Sequence, residues 1–355
     1  MVRKKISRET PKALKVSMFA IFIALLVALY ISFRLYKALF LPSVDIHNST
    51  DKLLFIRTGS TYPEVIAELK KLEVLSDEKG FEWLSKKKNY AENIHPGRYR
   101  IVKNMTNNQL LNMLRAGTQE PLMVKFNNIR NLEELAGVIG RQLEPDSILF
   151  IQTFRDTALI SSLGFKKETF ISMFIPNSYE FYWNTTPKRF IEKMSAEYIA
   201  FWSKGRFEKA KELGFSPVEV TTLASIVDQE TLNNSENPAI AGVFINRIKA
   251  KIPLQSDPTI IFAWNDYTMR RVLTKHKSIE SPYNTYMYRG LPPGPISIPS
   301  VNAIDGVLNY EKHSYLYFCA KEDFSGFHNF AKTLDQHNVN ARSYQKALNK
   351  RKIYN

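Results

Sequence analysis

The sequence predicts an α+β protein with a single N-terminal transmembrane helix, a small α/β subdomain and a larger, mainly helical α+β domain. Three features carry that prediction: a charge-free apolar run near the start, strand-like and helical stretches alternating up to about residue 120, and a succession of helix-start signals beyond it. The 355 residues suffice for two domains, and 44% hydrophobic content with 12% aromatic residues fills real cores, which excludes a disordered chain.

Val16 to Phe33 carries no charge, and at about 1.5 Å per residue it comes close to crossing a hydrocarbon core of about 30 Å. A cleaved signal peptide would have a shorter apolar region ending at a small-x-small site; here the run continues into Arg34-Leu35-Tyr36-Lys37. Arg3, Lys4, Lys5, Arg8, Lys12 and Lys15 precede it and outnumber Arg34 and Lys37 behind it. The expectation is a cytoplasmic tail over residues 1–15, an uncleaved anchor with its flank over 16–40, and a body exported beyond the cytoplasmic (inner) membrane. The net charge of +15 calls for an anionic partner: nucleic acid, lipid headgroups or an acidic polymer. Export and the lack of a nucleic-acid motif exclude nucleic acid and leave membrane lipid and cell-wall polymer.

Cys319 is the only cysteine, so no intrachain disulfide exists; it lies in an apolar stretch, Tyr315 to Ala320, expected to be a buried strand. His47, His95, His276, His313, His328 and His337 lack zinc-site spacing, so neither a metal nor another cofactor is expected.

Pro42 to about Asp51 reads as a connector. A small subdomain over 41–120 then follows as two βα-type units. Leu53 to Arg57 is a strand, and Thr61-Tyr62-Pro63-Glu64 is a capping box opening a helix that buries Val65, Ile66, Leu69 and Leu72. A helix around Phe81 to Leu84 precedes a second strand, Gly97 to Val102. Thr106 to Gln109 caps a helix through Leu110, Leu111 and Leu114 that Gly117 stops. In the remaining domain, 121–352, Leu122 to Phe126 is a strand, Thr186-Pro187 and Asn237-Pro238 start helices, and Thr333 to Gln336 caps a basic one running toward Lys352.

The chemistry is expected on the helix that Ser216-Pro217-Val218-Glu219 opens, again a capping box with Pro in the first turn. Leu223, Ile226 and Val227 share one face, and the next position on it is Glu230. Asp228 is about 200° away around the helix and faces elsewhere. A carboxylate on an apolar stripe has its charged form disfavoured, which suits a general acid; bending out to water or taking a bond from Thr231 or Asn234 is the structural alternative. Pro253 to Thr259 and Ser281 to Tyr286 concentrate amides, hydroxyls and rings in loops, the mixture that carbohydrate sites use, and Gly290 to Pro295 supplies a stiff wall.

Leu223 to Thr231, Val243 to Arg247, Leu254 to Thr259, Tyr283 to Tyr286, Gly290 to Gly294 and Tyr315 to Phe318 resemble, in order, the motifs of the endolytic murein transglycosylase (YceG-like) family. The resemblance spans about residues 50–350. It implies an N-terminal membrane helix, a LysM-like subdomain and an exported catalytic domain. It further implies an endolytic lyase that cleaves MurNAc–GlcNAc bonds in nascent peptidoglycan glycan strands and leaves 1,6-anhydro-MurNAc ends. The family's catalytic glutamate precedes the Thr of the helix motif, which makes it Glu230, acid and then base. Asn246, Gln255, Asp257, Asn284 and Tyr286 are the candidates for orienting sugar and acid. Glycan synthases (penicillin-binding proteins) are implied as partners. The chain departs from the family at Asp228 and Gln229, where Glu and Lys are usual, and at 171–179, where two acids of a binding segment are missing; His328 matches a His-containing turn. The alternative is a non-catalytic, membrane-tethered peptidoglycan-binding protein in which the small subdomain does the work.

Overall fold

The computed structural model describes residues 12–46, 49–203, 205–269 and 271–351. Arg3, Lys4, Lys5 and Arg8 of the basic tail lie outside these residues, as do His47 and Lys352. Helix α1 (Lys12–Phe40) runs past the expected end at Phe33, because Arg34 and Lys37 do not break a helix and no proline intervenes before Pro42. Its stretch Val16–Phe40, 25 residues or about 37 Å, is long and apolar enough to cross a membrane, and its apolar window is not buried in the protein.

The chain divides into two compact units. The first holds α1, β1 (Asp51–Ile56), α2 (Tyr62–Lys71), α3 (Glu78–Lys87), β2 (Gly97–Val102) and α4 (Asn107–Ala116), together with Tyr182–Asn184. The stretch after Pro42 is no loose connector: Ser43 and Val44 donate their N–H groups to the Met105 carbonyl, and Val44 and Ile46 are buried. What reads as two βα units is one layer, since β1 and β2 pair antiparallel from Asp51↔Val102 to Ile56↔Gly97. Alternation puts Leu54, Ile56, Tyr99 and Ile101 on one face, where Val65, Leu69, Phe81, Leu84, Leu110 and Leu114 of the helices close the core. Thr61 and Thr106 both form capping boxes, and Gly117 ends α4 at φ 63°, a conformation glycine adopts without strain.

The second unit begins with β3 (Leu122–Phe126), α5 (Leu132–Gly140), α6 (Ser147–Phe154), α7 (Thr157–Ser162) and β4 (Asn177–Phe181), which pairs with β3. Next come α8 (Pro187–Ser203), α9 (Arg206–Leu213), α10 (Pro217–Glu230), α11 (Asn237–Lys249), α12 (Asp257–Trp264) and α13 (Val301–Leu308). The antiparallel hairpin β5 (Tyr317–Ala320) and β6 (His328–Ala331) and then α14 (Leu334–Lys350) complete it. Phe150, Phe154, Phe170, Phe174, Phe181 and Phe190 pack ring on ring at centroid distances from 5.1 to 6.5 Å and build one core of this unit. The other core surrounds α10.

Helix α10 departs from the expected single apolar stripe. Every residue from Val220 to Val227 is buried, so the helix is enclosed on all sides by α11, α13 and their loops. Its hydroxyls survive burial because Thr221, Thr222 and Ser225 donate to the Pro217, Val218 and Thr222 carbonyls. Strand β5 begins at Tyr317, two residues later than the apolar run suggests, and is half-buried. Burial pushes the Cys319 thiol pKa up, the wrong direction for a nucleophile.

The segment leading into β5 crosses α11 at Gly242, where an added Cβ would stand 2.5 Å from the Glu311 carbonyl oxygen and 2.6 Å from His313 Nε2. Gly242→Ala is therefore expected to lower stability by about 1–3 kcal/mol, the usual range for overpacking, as read by thermal unfolding. An unchanged Tm would mean that this crossing yields without cost.

Candidate active site

Glu230 is the last residue of α10, where the buried helix meets the surface. Its side chain is half-buried while its carboxyl is heavily desolvated, and the Ser256 hydroxyl donates to Oε1 at 2.5 Å. Ser256 sits at the N-cap of α12, where a serine ordinarily accepts from the helix; here it makes no capping bond. The reason lies in a closed ring of bonds behind it. The Ser256 N–H donates to Thr285 Oγ1 at 3.0 Å, Thr285 and Thr259 hydroxyls are 2.8 Å apart, and Thr259 donates to the Ser256 carbonyl at 2.7 Å. Because the single Thr259 proton goes to that carbonyl, Thr285 must donate to Thr259. The ring fixes Ser256, 1% exposed, with its own proton directed at Glu230.

Burial raises the Glu230 pKa from the ordinary carboxyl value to about 7. The Ser256 bond opposes that shift, the Asp257 charge adds to it and the Arg247 charge subtracts from it. Asp257 is the first residue of α12; it accepts from the Tyr286 hydroxyl at 2.5 Å and stands 3.9 Å from Lys277 Nζ. Burial, the bond to Asp257 and the charges of Asp257 and Glu230 push the Tyr286 pKa far above its usual value, so it stays a donor.

Arg247, 8% exposed, donates to the carbonyls of Leu316 at 2.6 Å and Leu254 at 2.7 Å, and its guanidinium lies 5.1 Å from the centre of the Tyr317 ring. It thereby clamps β5 and the turn before α12 around Glu230. Gln255 carries a positive φ of 54°, and its exposed side chain reaches Arg247 at 3.4 Å.

Two of the sequence candidates occupy other roles. Asn246 spends its amide on the carbonyls of His313 and Tyr315, at 2.8 and 3.0 Å. Asn284 is 0% exposed; it donates to Lys277 and Ile279 and accepts from the N–H groups of Tyr286 and Met287. With its amide so engaged Asn284 has nothing to offer a ligand, and instead of binding sugar it sets the turn that presents Tyr286. Asp257, Tyr286 and Gln255 do gather near Glu230, whereas Asp228 points to α13 and accepts from Ser300 at 2.5 Å. Ser256 and Arg247 lay within segments the sequence singled out, Pro253 to Thr259 and Val243 to Arg247, but were not themselves named as site residues.

A cleft of about 640 Å³ opens beside the end of α10. Asp228, Gln229 and Thr231, the neighbours of Glu230 but not Glu230 itself, line it together with Lys125 and Arg130, and most of the remaining wall is neutral amide and hydroxyl, such as Asn127, Asn177 and Ser300. The departing segment 171–179 thus contributes Asn177 and Ser178 to this wall. Leu232, fully exposed, adds an apolar surface. Behind Thr231, the buried Glu236 carboxylate receives the His328 backbone N–H at 2.9 Å and its Nδ1 at 2.8 Å, tying β6 to the turn after Glu230.

The model of the YceG-like family matches residues 54–343. The chain belongs to the YceG-like family. It is 28% identical over 332 residues to the endolytic murein transglycosylase of Bacillus subtilis, covering 89% of this chain and 91% of that one. It is also 28% identical over 337 residues to the endolytic murein transglycosylase of Streptococcus pneumoniae, covering 85% of this chain and 60% of that longer protein. The crystal structure of a YceG-like protein from Listeria monocytogenes is similar at a TM-score of 0.55 and 25% identity, covering 82% of this chain and 98% of that one.

In this YceG-like site, a carboxyl balanced between its neutral and charged forms near neutrality sits next to a cleft suited to a neutral, hydroxyl-rich ligand. A carboxyl so balanced can give or take a proton near neutral pH. Its balance depends on Arg247. Arg247→Met would leave the Leu254 and Leu316 carbonyls without these bonds, lowering stability by about 2–4 kcal/mol. It would also raise the Glu230 pKa further, because the favourable cation is gone. Denaturant unfolding and an NMR titration of the side-chain carboxyls check the two effects separately.

Proposed function

We propose that this chain is a membrane-anchored endolytic murein transglycosylase that cleaves MurNAc–GlcNAc bonds within glycan strands and leaves 1,6-anhydro-MurNAc ends. The observation that carries the reading is the Glu230 carboxyl, desolvated, held by Ser256 and poised near pH 7 beside an amide-lined cleft. The names of the Bacillus and Streptococcus relatives support the reaction class.

In the proposed cycle protonated Glu230 gives its proton to the glycosidic oxygen as the C1–O bond breaks and oxocarbenium character develops. The carboxylate then takes the proton of the muramyl C6 hydroxyl, whose oxygen closes on C1. One C–O bond breaks, one forms, and no water enters. Asp257, held by Tyr286, keeps the Glu230 pKa high, and Gln255 lies exposed where it can meet the sugar. Asp228, bound to Ser300 on α13, has no part in the acid–base pair.

Val16–Phe40 is proposed as the single-pass anchor, with the N-terminus cytoplasmic by its basic excess and the catalytic region, 121–352, outside. Residues 41–120, whose β1–α2–α3–β2 order supports a LysM-like binding subdomain, would hold the strand, and anionic lipid would attract the basic surface. Partnership with penicillin-binding synthases has the family resemblance as its support.

Glu230→Gln should leave the fold intact and abolish anhydro-muramyl ends when purified strands are digested and analysed by mass spectrometry. Retained cleavage would remove Glu230 from the reaction. Reducing ends would make the protein a hydrolase, and binding without shortening would favour the non-catalytic alternative. Because the acid form is required, kcat/KM should fall as pH rises through about 7. Ser256→Ala removes a bond that favours the charged form, so this limb should move upward while the maximal rate drops by up to about a hundredfold.

Stability supplies a further check. The folded pKa lies above the unfolded one, so the stabilisation attached to the protonated carboxyl is complete below the unfolded value and is lost as pH rises through about 7. Glu230→Gln should therefore match the wild type in acid and exceed it above pH 7, by at most about 3 kcal/mol, in pH-dependent thermal unfolding. A constant difference across pH would mean that burial does not perturb this carboxyl.

A further inference from the structure

A second cleft, about 520 Å³, lies in the same unit and shares Arg130 with the first. The two walls differ in kind. The cleft beside α10 has Lys125, Arg130 and Asp228 as its charged members among mostly neutral amides and hydroxyls, which suit sugar. The second carries Arg130, Arg155 and Lys167 against Glu133 and Glu168 on its wall. Its apolar lining comes from Phe154, Ile171, Pro295, Phe262 and Tyr283, the last two with ring centres 4.6 Å apart.

Arg155 and Glu133 pair at 2.7 Å across exposed side chains, Arg130 lies 5.0 Å over the Tyr267 ring, and Lys167 has no hydrogen-bond or ion-pair partner among the described residues. Alternating charges over an aromatic and aliphatic surface complement a short chain that itself carries carboxylates, an amine and small apolar side chains. Sugar hydroxyls would leave these charges unmatched. Murein joins both chemistries in one polymer, a glycan strand from whose muramyl residues short peptides branch.

We propose that this cleft is a subsite for the peptide stem of the strand whose sugars occupy the cleft beside Glu230, with Arg155 and Lys167 receiving its carboxylates. The proposal rests on the transglycosylase reading for the sugar's place. Phe262 belongs to α12 and Tyr283 to the turn bearing Tyr286, so a seated peptide bears on the two elements that hold Ser256 and Asp257.

The full-length protein in detergent is given strands of equal length, one pool with stem peptides intact and one stripped of them by an amidase. Wild type should cleave the intact pool faster. Arg155→Glu with Lys167→Glu, both exposed positions away from Glu230, should cost about tenfold in kcat/KM on intact strands, through KM, and nothing on stripped ones. Equal loss on both pools, no loss on either, or a wild type indifferent to the peptides overturns the proposal. A free stem tripeptide is titrated calorimetrically into both proteins, with no turnover required. Saturable binding to wild type that the double variant lacks supports the subsite, and no binding at millimolar peptide, or equal binding to both, overturns it. Should wild type leave both pools uncut, the transglycosylase reading falls and the titration alone decides the cleft.

Discussion

Burial of the middle of α10, Val220 to Val227, is the constraint on which the site depends. A helix enclosed on every side cannot adjust its rotation, so its C-terminal residues must emerge where the neighbouring elements leave room. Each of three residues there is met by the N-cap residue of a different helix: Asp228 by Ser300 of α13, Glu230 by Ser256 of α12, and Thr231 by Glu236 of α11, the last at 3.5 Å. For the two acids the contact is the hydroxyl of the cap serine, which donates to the carboxylate. For Asp228 this anchors the side chain to the start of α13. For Glu230 the desolvation is larger than the combined help of Ser256 and Arg247, and the balance settles near neutrality.

The same arrangement explains why so many polar groups around Glu230 are buried yet cost little. Ser256, Thr259 and Thr285 satisfy one another in a closed ring, Asn284 spends both ends of its amide on one turn, and Arg247 finds carbonyls on two separate segments. A fully connected polar network specifies one geometry, because any displaced member leaves a buried group unpaired. These residues act on Glu230 by holding its surroundings still, while Gln255 and the cleft wall stay available to a ligand.

Much of this was legible in the sequence, and the unreadable parts share a cause. Ser216, Thr61 and Thr106 announce their helices because a capping box is a local motif, satisfied within four residues. Glu230 stood out because a carboxylate occupied an apolar position in a local period. The turn that Asn284 holds was not legible, because an amide in a loop looks the same whether it faces solvent or its own turn. Ser256 was missed for a related reason: its proton goes 26 positions back along the chain, and local sequence holds no trace of that partner. The enclosure of α10 beyond the Leu223, Ile226 and Val227 face was not legible because hydroxyls such as those of Thr221, Thr222 and Ser225 can be buried when each bonds back within its own helix.

A carboxyl with a pKa near 7 has a further property that an ordinary one lacks. At pH 4.5 or below a normal glutamic acid is a good proton donor, but at neutrality it is almost wholly ionised, and its conjugate base is too weak to draw a proton from a hydroxyl. Raising the pKa improves both halves at once: more acid is present before the bond breaks, and the anion left afterwards is more basic. Since ring closure gives Glu230 a proton from the C6 hydroxyl in place of the one it lost to the leaving oxygen, the proposed cycle needs no exchange with bulk water. A partly enclosed carboxyl is then an advantage, because the desolvation that raises its pKa also keeps out the competing nucleophile. Asp257 adds to the effect through its charge; it accepts from the Tyr286 hydroxyl and stands beside the Lys277 ammonium. In the proposed cycle one carboxyl both gives and takes the proton, and a second, neighbouring carboxyl bears on it only through its charge.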